Sequence, residues 1–182
     1  MAHFVTSDPH LGHYGIIEKV RTEFRNIRHH DSLIIRNNNS IVSPDDDLWI
    51  VGDFSLYTKS HRGTLENYLR KMNGRKHLVM GNHDVPDARW WHDVGFFSIH
   101  YPYFELEEFV LAHDPSLSCV DRTRPFICGH THDWVLFEKN VLIVCLELHE
   151  YKPLSLEQCR EYFRQNSNIS VKEPPRKGGS ME

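Results

Sequence analysis

Five short apolar runs in this chain each end on residues that can ligate a metal, and no other feature constrains the fold as much. The run Ala2–Ser7 ends in Asp8-Pro9-His10, Leu48–Val51 in Gly52-Asp53, and His77–Met80 in Gly81-Asn82-His83-Asp84. Phe109–Ala112 meets His113, and Pro125–Cys128 meets Gly129-His130-Thr131-His132. Short apolar runs bounded by Gly, Pro, Asn and Asp read as buried strands. Sites in open α/β sheets form outside the carboxyl ends of strands, so five such ends predict one shared edge. The carboxylate, imidazole and amide groups gathered there suit two metal ions.

Helical patterns separate the first three strands. Ile16–Arg21 has room for one or two turns. Asp31–Val42 carries Leu33, Ile34, Ile35 and Ile41, with Asp31 or Ser32 as the predicted N-cap. His61–Met72 sets Leu65, Tyr68, Leu69 and Met72 on one face, and Asn73-Gly74 ends it. Strand, helix, strand, helix, strand implies a parallel sheet with crossover helices. Beyond residue 95 the predicted strands Phe96–His100, Tyr103–Glu107, Phe109–Ala112, Pro125–Cys128, Trp134–Glu138 and Val141–Leu146 follow at tight turns. Leu154–Arg164 reads as a last helix, with Ser155 as cap. The expected fold is a two-sheet α/β sandwich, parallel-rich in its first half and antiparallel-rich in its second. Residues 1–166 form its single domain, and the polar stretch 167–182 is expected to be a disordered tail.

With 182 residues, 40% of them hydrophobic, the chain can bury one sizeable core. Its formal net charge of -4 gives no bulk attraction to nucleic acid. The four cysteines form no C-x-x-C pair, so a structural zinc site is not indicated. Cys128 and Cys145 read as buried free thiols, which fits a reducing compartment. The sequence shows no signal-peptide pattern and no apolar run near the ~18 residues a membrane helix needs, so a cytoplasmic location is expected. Of 14 histidines, five sit in the motifs above.

A mixed Asp, Asn and His ligand set suits manganese, iron or zinc, with nickel or cobalt acceptable, and suits calcium poorly. Asp53, alone between the clusters, is the candidate bridge. Two metals bridged at ~3.5–4 Å lower the pKa of a shared water and clamp oxygens at phosphorus.

The motifs D-x-H, G-D, G-N-H-D, H and G-H-x-H make residues 2 to 155 resemble a calcineurin-like metallophosphoesterase, in the compact single-domain form of bacteria and their phages. The resemblance implies an α/β/β/α sandwich binding two divalent metals, manganese first among them. It implies that Asp8, His10, Asp53 and His132 hold one metal, and that Asp53, Asn82, His113 and His130 hold the other. It implies a bridging hydroxide as nucleophile. His83, not a ligand, is then the general acid or a stabiliser of charge, and Asp84 orients the motif or the His83 imidazole. The chain departs from the Ser/Thr phosphatase branch after Asp53. There it reads Phe54-Ser55-Leu56-Tyr57, without the second Asp and the phosphate-gripping Arg. The short stretch between His83 and His113 leaves no room for a large cap, so a shallow open cleft is expected.

The function expected is a phosphodiesterase acting on small or nucleotide-type phosphoesters. A phosphomonoesterase on the same centre is the alternative. A non-catalytic scaffold is a third reading, and every ligand position and His83 are intact against it. His13 either touches substrate phosphate or is a loop residue. Trp90, Trp91, Phe96, Phe97, Tyr101 and Tyr103 either stack a nucleobase or pack in the core, and burial preferences favour the core. Arg21, Arg25 and Arg28, with His29 and His30, either recruit a phosphate chain or are scattered surface charge, the favoured reading. Arg70, Lys71, Arg75 and Lys76 flank a helix end and complement its dipole.

Overall fold

A computed structural model of the chain describes residues 1–56, 59–84, 87–119, 123–132 and 140–166. The expected strand at Trp134–Glu138 and the expected tail from Ser167 lie outside the described residues.

Strands β1 (His3–Thr6), β2 (Asp47–Val51), β3 (Arg75–Val79) and β4 (Ser98–His100) lie side by side and parallel. Helices α1 (Tyr14–Lys19), α2 (Ile27–Ile41), α3 (Arg62–Lys71) and α4 (Ala88–Val94) fill the connections. Strand periodicity sorts the core. Leu48 and Ile50 of β2 point to the helices and meet Ile34, Leu65, Leu69 and Trp91. Trp49 and Val51 point the other way and meet Leu111, Ile127 and Leu142 of the second sheet.

That second sheet has the order β5 (Tyr103–Leu106), β6 (Phe109–Ala112), β7 (Phe126–Cys128), β8 (Val141–Ile143). Among the described strands of this sheet, β5 and β6 pair antiparallel, whereas β6–β7 and β7–β8 are parallel, which the expected antiparallel-rich second half did not include. The segments from β6 to β7 and from β7 to β8 are long enough to return the chain to the starting end, as a parallel pair requires. Three consecutive parallel strands put the carboxyl ends of β6 and β7 on one edge.

Short β9 (Leu154–Ser155) adds antiparallel to β1 and leads into α5 (Leu156–Asn166). Ser155 caps that helix reciprocally: its Oγ accepts from Gln158 N at 3.2 Å, and Gln158 Oε1 accepts from Ser155 N at 2.8 Å. Helix α5 closes the side of the inter-sheet core through Leu156 and Cys159. The outer face of the second sheet, with Val110, Phe126 and Val141, is buried, yet no helix among the described residues lies on it. The described residues thus form a mixed α/β sandwich of helices and two sheets.

Two helices differ from expectation. Helix α2 is capped by Asn26, whose Oδ1 accepts from His29 N at 2.9 Å. Asp31 cannot serve as cap because its carboxylate is buried, accepting from Gly12 N and, at 2.6 Å, from Tyr68 Oη. Helix α4 falls in the aromatic stretch, started by the Asp87 side chain accepting from Trp90 N. It buries Trp91, and Phe96 packs beside it; Phe97 and Tyr101 stay exposed. No helix among the described residues is long and apolar enough to cross a membrane.

Candidate metal centre

The loops after β1, β2, β3, β6 and β7 converge where the two sheets touch. Ser7 forms an isolated parallel bridge with Cys145, and Ser7 N donates to Val144 O at 3.0 Å. Asp8 N donates to Gly52 O and His10 N to Asp53 O, each at 3.0 Å, so the first two loops are laced together. Backbone conformation here is unusual. Among the described residues, Asp8, His10, Asp53, His130 and His132 all have positive φ, between 46° and 74°. Non-glycine residues rarely adopt that region, and such strain collects where side chains must be aimed. Two glycines make room. A Cβ at Gly81 would lie 2.3 Å from Asp53 Oδ1, and one at Gly129 would lie 2.4 Å from Asp8 Oδ2.

Two groups of donors result. In the first, His10 Nε2 lies 3.6 Å from Asp8 Oδ1 and His132 Nε2 lies 3.8 Å from the same oxygen. In the second, His113 Nε2 lies 3.4 Å from Asp53 Oδ2 and 3.1 Å from Asn82 Oδ1, which is 3.0 Å from His130 Nδ1. His10 Nε2 is also 3.7 Å from Asp53 Oδ2, so one carboxylate oxygen stands between both groups. All seven residues predicted as ligands are thus brought together.

Two observations fit these groups to cations. Asp8 Oδ1 and His10 Nε2 are buried, face each other and have no hydrogen-bond partner. Leaving such atoms bare is costly, and a cation between them would satisfy both. The free ring nitrogens are also the ones aimed inward. His113 Nδ1–H donates to Val51 O at 2.9 Å and His132 Nδ1–H donates to Glu147 Oε1 at 2.9 Å, which reserves Nε2 of each ring for a ligand role.

Electrostatics agree. Burial pushes the Asp8 carboxyl up, but His10, His113 and His132 around it prevail and hold it far below the usual range. Burial opposes charge on His113, yet the bond to Asp53 and the Asp8 and Asp53 charges raise it to about 9. His10 differs, since burial pushes it down despite the Asp8 and Asp53 carboxylates.

His83 stands beside the groups rather than in them. Its side chain is 40% exposed, with Nε2 3.9 Å from Asp53 Oδ2 and its ring 5.6 Å from that of His10. Its backbone N–H donates to Asp53 Oδ1 at 2.9 Å. His13 lies 3.2 Å from His10, Nδ1 to Nδ1, and 6.1 Å from His83, ring to ring. Burial, then the neighbouring His10 and His83, push His13 down to about 4. Asp84 does not touch the His83 ring. Its carboxylate accepts from Asp53 N, Gly81 N and Phe54 N at 2.8 to 3.0 Å, pinning both loops that carry the bridging candidate and the G-N-H-D motif.

Sequence reading missed the support behind the first group. Glu147 Oε1, which receives His132, also accepts from Arg21 Nε at 2.7 Å. Arg21 further donates to Asp8 O at 2.6 Å and Pro9 O at 3.2 Å, and its Nη1 is 2.7 Å from His30 Nε2. His30 Nδ1–H donates to Asp31 Oδ1 at 2.8 Å. Arg21 and His30 are fully buried, which corrects their reading as surface charge; Arg25, Arg28 and His29 are exposed. Burial would raise Glu147, but His132 and Arg21 hold it down at about 2. No motif marks this chain of contacts, because its members are scattered from α1 to the turn after β8. Cys128, Cys145 and Cys159 are buried and Cys119 is exposed, none of them in a disulfide, and the Cys145 thiol donates to Asp8 Oδ2 at 3.3 Å.

No protein-family model matches the chain. The Gene 66 protein of Mycobacterium phage L5 is 36% identical over 81 residues, which is 44% of this chain and 39% of that protein. An uncharacterized protein of Methanocaldococcus jannaschii is 28% identical over 162 residues, 85% of this chain and 86% of the other. Among solved structures, a protein of unknown function from Aquifex aeolicus superposes with a TM-score of 0.66 at 22% identity, covering 88% of this chain and 98% of that one. The chain shares that fold. A looser likeness, with a TM-score of 0.44 at 24% identity over 71% of this chain and 61% of the other, is to a nuclease of Pseudomonas putida. A likeness that loose carries no functional argument.

Proposed function

We propose that this chain is a metal-dependent phosphoesterase of the calcineurin-like type, acting on phosphodiesters in preference to monoesters. The observation that carries the reading is the pair of donor groups sharing Asp53 Oδ2, with Asp8 Oδ1 and His10 Nε2 of the first group buried and bare. Asp8, His10, Asp53 and His132 would hold one divalent cation, and Asp53, Asn82, His113 and His130 a second. Bound there, the cations would lower the pKa of a water and screen the phosphate charge. Manganese suits this oxygen-and-nitrogen set, with iron, zinc, cobalt or nickel as substitutes.

The chain's own residues supply the rest. His83 is near the shared carboxylate yet open to solvent, where an imidazole can hand a proton to a leaving oxygen. Asp84 keeps Asp53 and the His83 loop in register through three backbone N–H groups. The diester preference rests on the run after Asp53, Phe54-Ser55-Leu56-Tyr57, which lacks the Arg that would grip the second charge of a monoester.

The test compares bis-p-nitrophenyl phosphate with p-nitrophenyl phosphate, with added manganese or with chelator, for the wild type and Asp53→Asn. Manganese-dependent diester turnover, lost in Asp53→Asn, is expected. Turnover that survives both chelator and substitution would sink the reading, and a monoester preference would replace the diester assignment.

A further inference from the structure

Beside the second donor group lies a cleft of about 390 Å³, within the range of small-molecule sites. One side is polar and belongs to the candidate centre: Asn82, His113 and His130. The other side is apolar and plays no part in the site described above: Met80, Tyr101, Pro102 and Leu117. Tyr101 is 77% exposed. It belongs to the stretch of six aromatics whose burial preferences favour the core, and the structure divides them. Trp91 and Phe96 go to the core, while Tyr101 is set on the short link between β4 and β5 at the cleft. An aromatic ring left in solvent beside phosphate-handling groups has surface to offer a planar partner.

Two further features give the cleft a direction and a chemistry. His83 is not among its lining residues; it stands on the side of His10 and His13. With a leaving oxygen on the His83 side, a group seated in the cleft would stay on the phosphorus. Asp114 borders the cleft, with Oδ1 held by Ser116 N and Oγ, each at 2.7 Å. A carboxylate there repels a second phosphate and accepts an N–H, which suits a base better than a phosphate chain.

The geometry points to this cleft as the seat of a nucleobase on the retained arm of the phosphodiester, with Tyr101 as the specificity-determining ring. The inference rests on the phosphodiesterase reading and narrows its substrate to nucleoside phosphodiesters. Thymidine 5′-(p-nitrophenyl phosphate) and methyl p-nitrophenyl phosphate test it, since they share a leaving group and differ only in the retained arm. The wild type should favour the thymidine ester in kcat/KM by roughly 5- to 100-fold, the range base–aromatic stacking supplies. The difference should lie chiefly in KM. Tyr101→Ala should bring the ratio of the two esters close to one, and Tyr101→Phe should keep it. Phe97→Ala, at an exposed aromatic outside the cleft, should also keep it. Equal use of both esters by the wild type, or an unchanged ratio in Tyr101→Ala, overturns the inference.

Binding of thymidine 5′-monophosphate, followed by calorimetry, separates the two levels. If neither ester is hydrolysed but the wild type binds the nucleotide and Tyr101→Ala does not, the phosphodiesterase reading fails and the cleft assignment stands. Absence of both hydrolysis and binding overturns both.

Discussion

Arg21→Met probes whether the first donor group depends on the support behind it. The substitution keeps an unbranched stem and removes every guanidinium donor. Arg21 is fully buried and donates to Glu147 Oε1, Asp8 O and Pro9 O, with His30 Nε2 also within reach. Without it, the Glu147 carboxylate keeps His132 but loses its cation. Breaking a buried ion pair from one side costs about 3–5 kcal/mol. At about 2–4 °C per kcal/mol for a domain of this size, the midpoint should fall by about 6–20 °C. Thermal melts in chelator, where no metal masks the effect, measure this directly. Glu147→Gln should also destabilise, because it strands the buried Arg21 charge. The double variant should cost less than the two singles added, by about 0.5–3 kcal/mol, since neither charge is then left alone. A midpoint drop under about 3 °C for Arg21→Met, or strict additivity, would refute the view that the pair is one energetic unit.

Glycine and histidine positions in the same site give further outcomes. Gly81→Ala would set a Cβ 2.3 Å from Asp53 Oδ1 and 2.6 Å from Asp53 N, so it should displace Asp53 and leave fewer than two manganese ions per chain by metal analysis. Gly63→Ala in α3 meets nothing within 4 Å and should leave metal binding intact while adding about 0.5–1 kcal/mol of helix stability. His113 is raised to about 9, against the opposing effect of burial, by Asp53 and Asp8. A raised pKa means its stabilising contribution is complete below pH 6.5 and is lost as pH rises through 9. The bound proton also competes with metal, so apparent affinity at the second group should climb by up to about tenfold per pH unit until about pH 9. Calorimetry in buffers of different ionisation enthalpy would detect the released proton; a pH-independent affinity would contradict the assignment of His113 Nε2 as a ligand atom.

The parallel half of the fold was legible because each strand is a short apolar run and each crossover has helical spacing, as Leu48–Val51 and Leu65, Tyr68, Leu69 show. The second half was legible as strands but not as a sheet. Phe109–Ala112, Phe126–Cys128 and Val141–Ile143 are uniformly buried on both faces. A strand without alternation carries no sign of its direction, and direction was set by the long connections instead. Helix α2 shows the related failure of local rules. Asp31 looks like a cap in sequence, yet Gly12, His30 and Tyr68 claim its oxygens, and Asn26 takes the cap.

The same distinction explains what could be read of the site. Side chains that point into it come from compact motifs at strand ends, so their identities were visible in stretches a few residues long. Side chains that stand behind it are bonded across great sequence distance, as Arg21 is to Glu147, and each looks ordinary alone. Asp84 falls between these cases. It lies inside a motif and so was visible, but its carboxylate turns to backbone N–H groups rather than to the His83 ring. Spacing shows that a residue belongs to a site; only packing shows whether it faces a ligand or holds up a residue that does. Arg21 is the sharper example, since a charged residue one helix away from the motifs reads as surface charge until a buried acceptor accounts for it. If its removal destabilises the metal-free protein to the extent expected, the support was built into the fold itself and does not depend on metal.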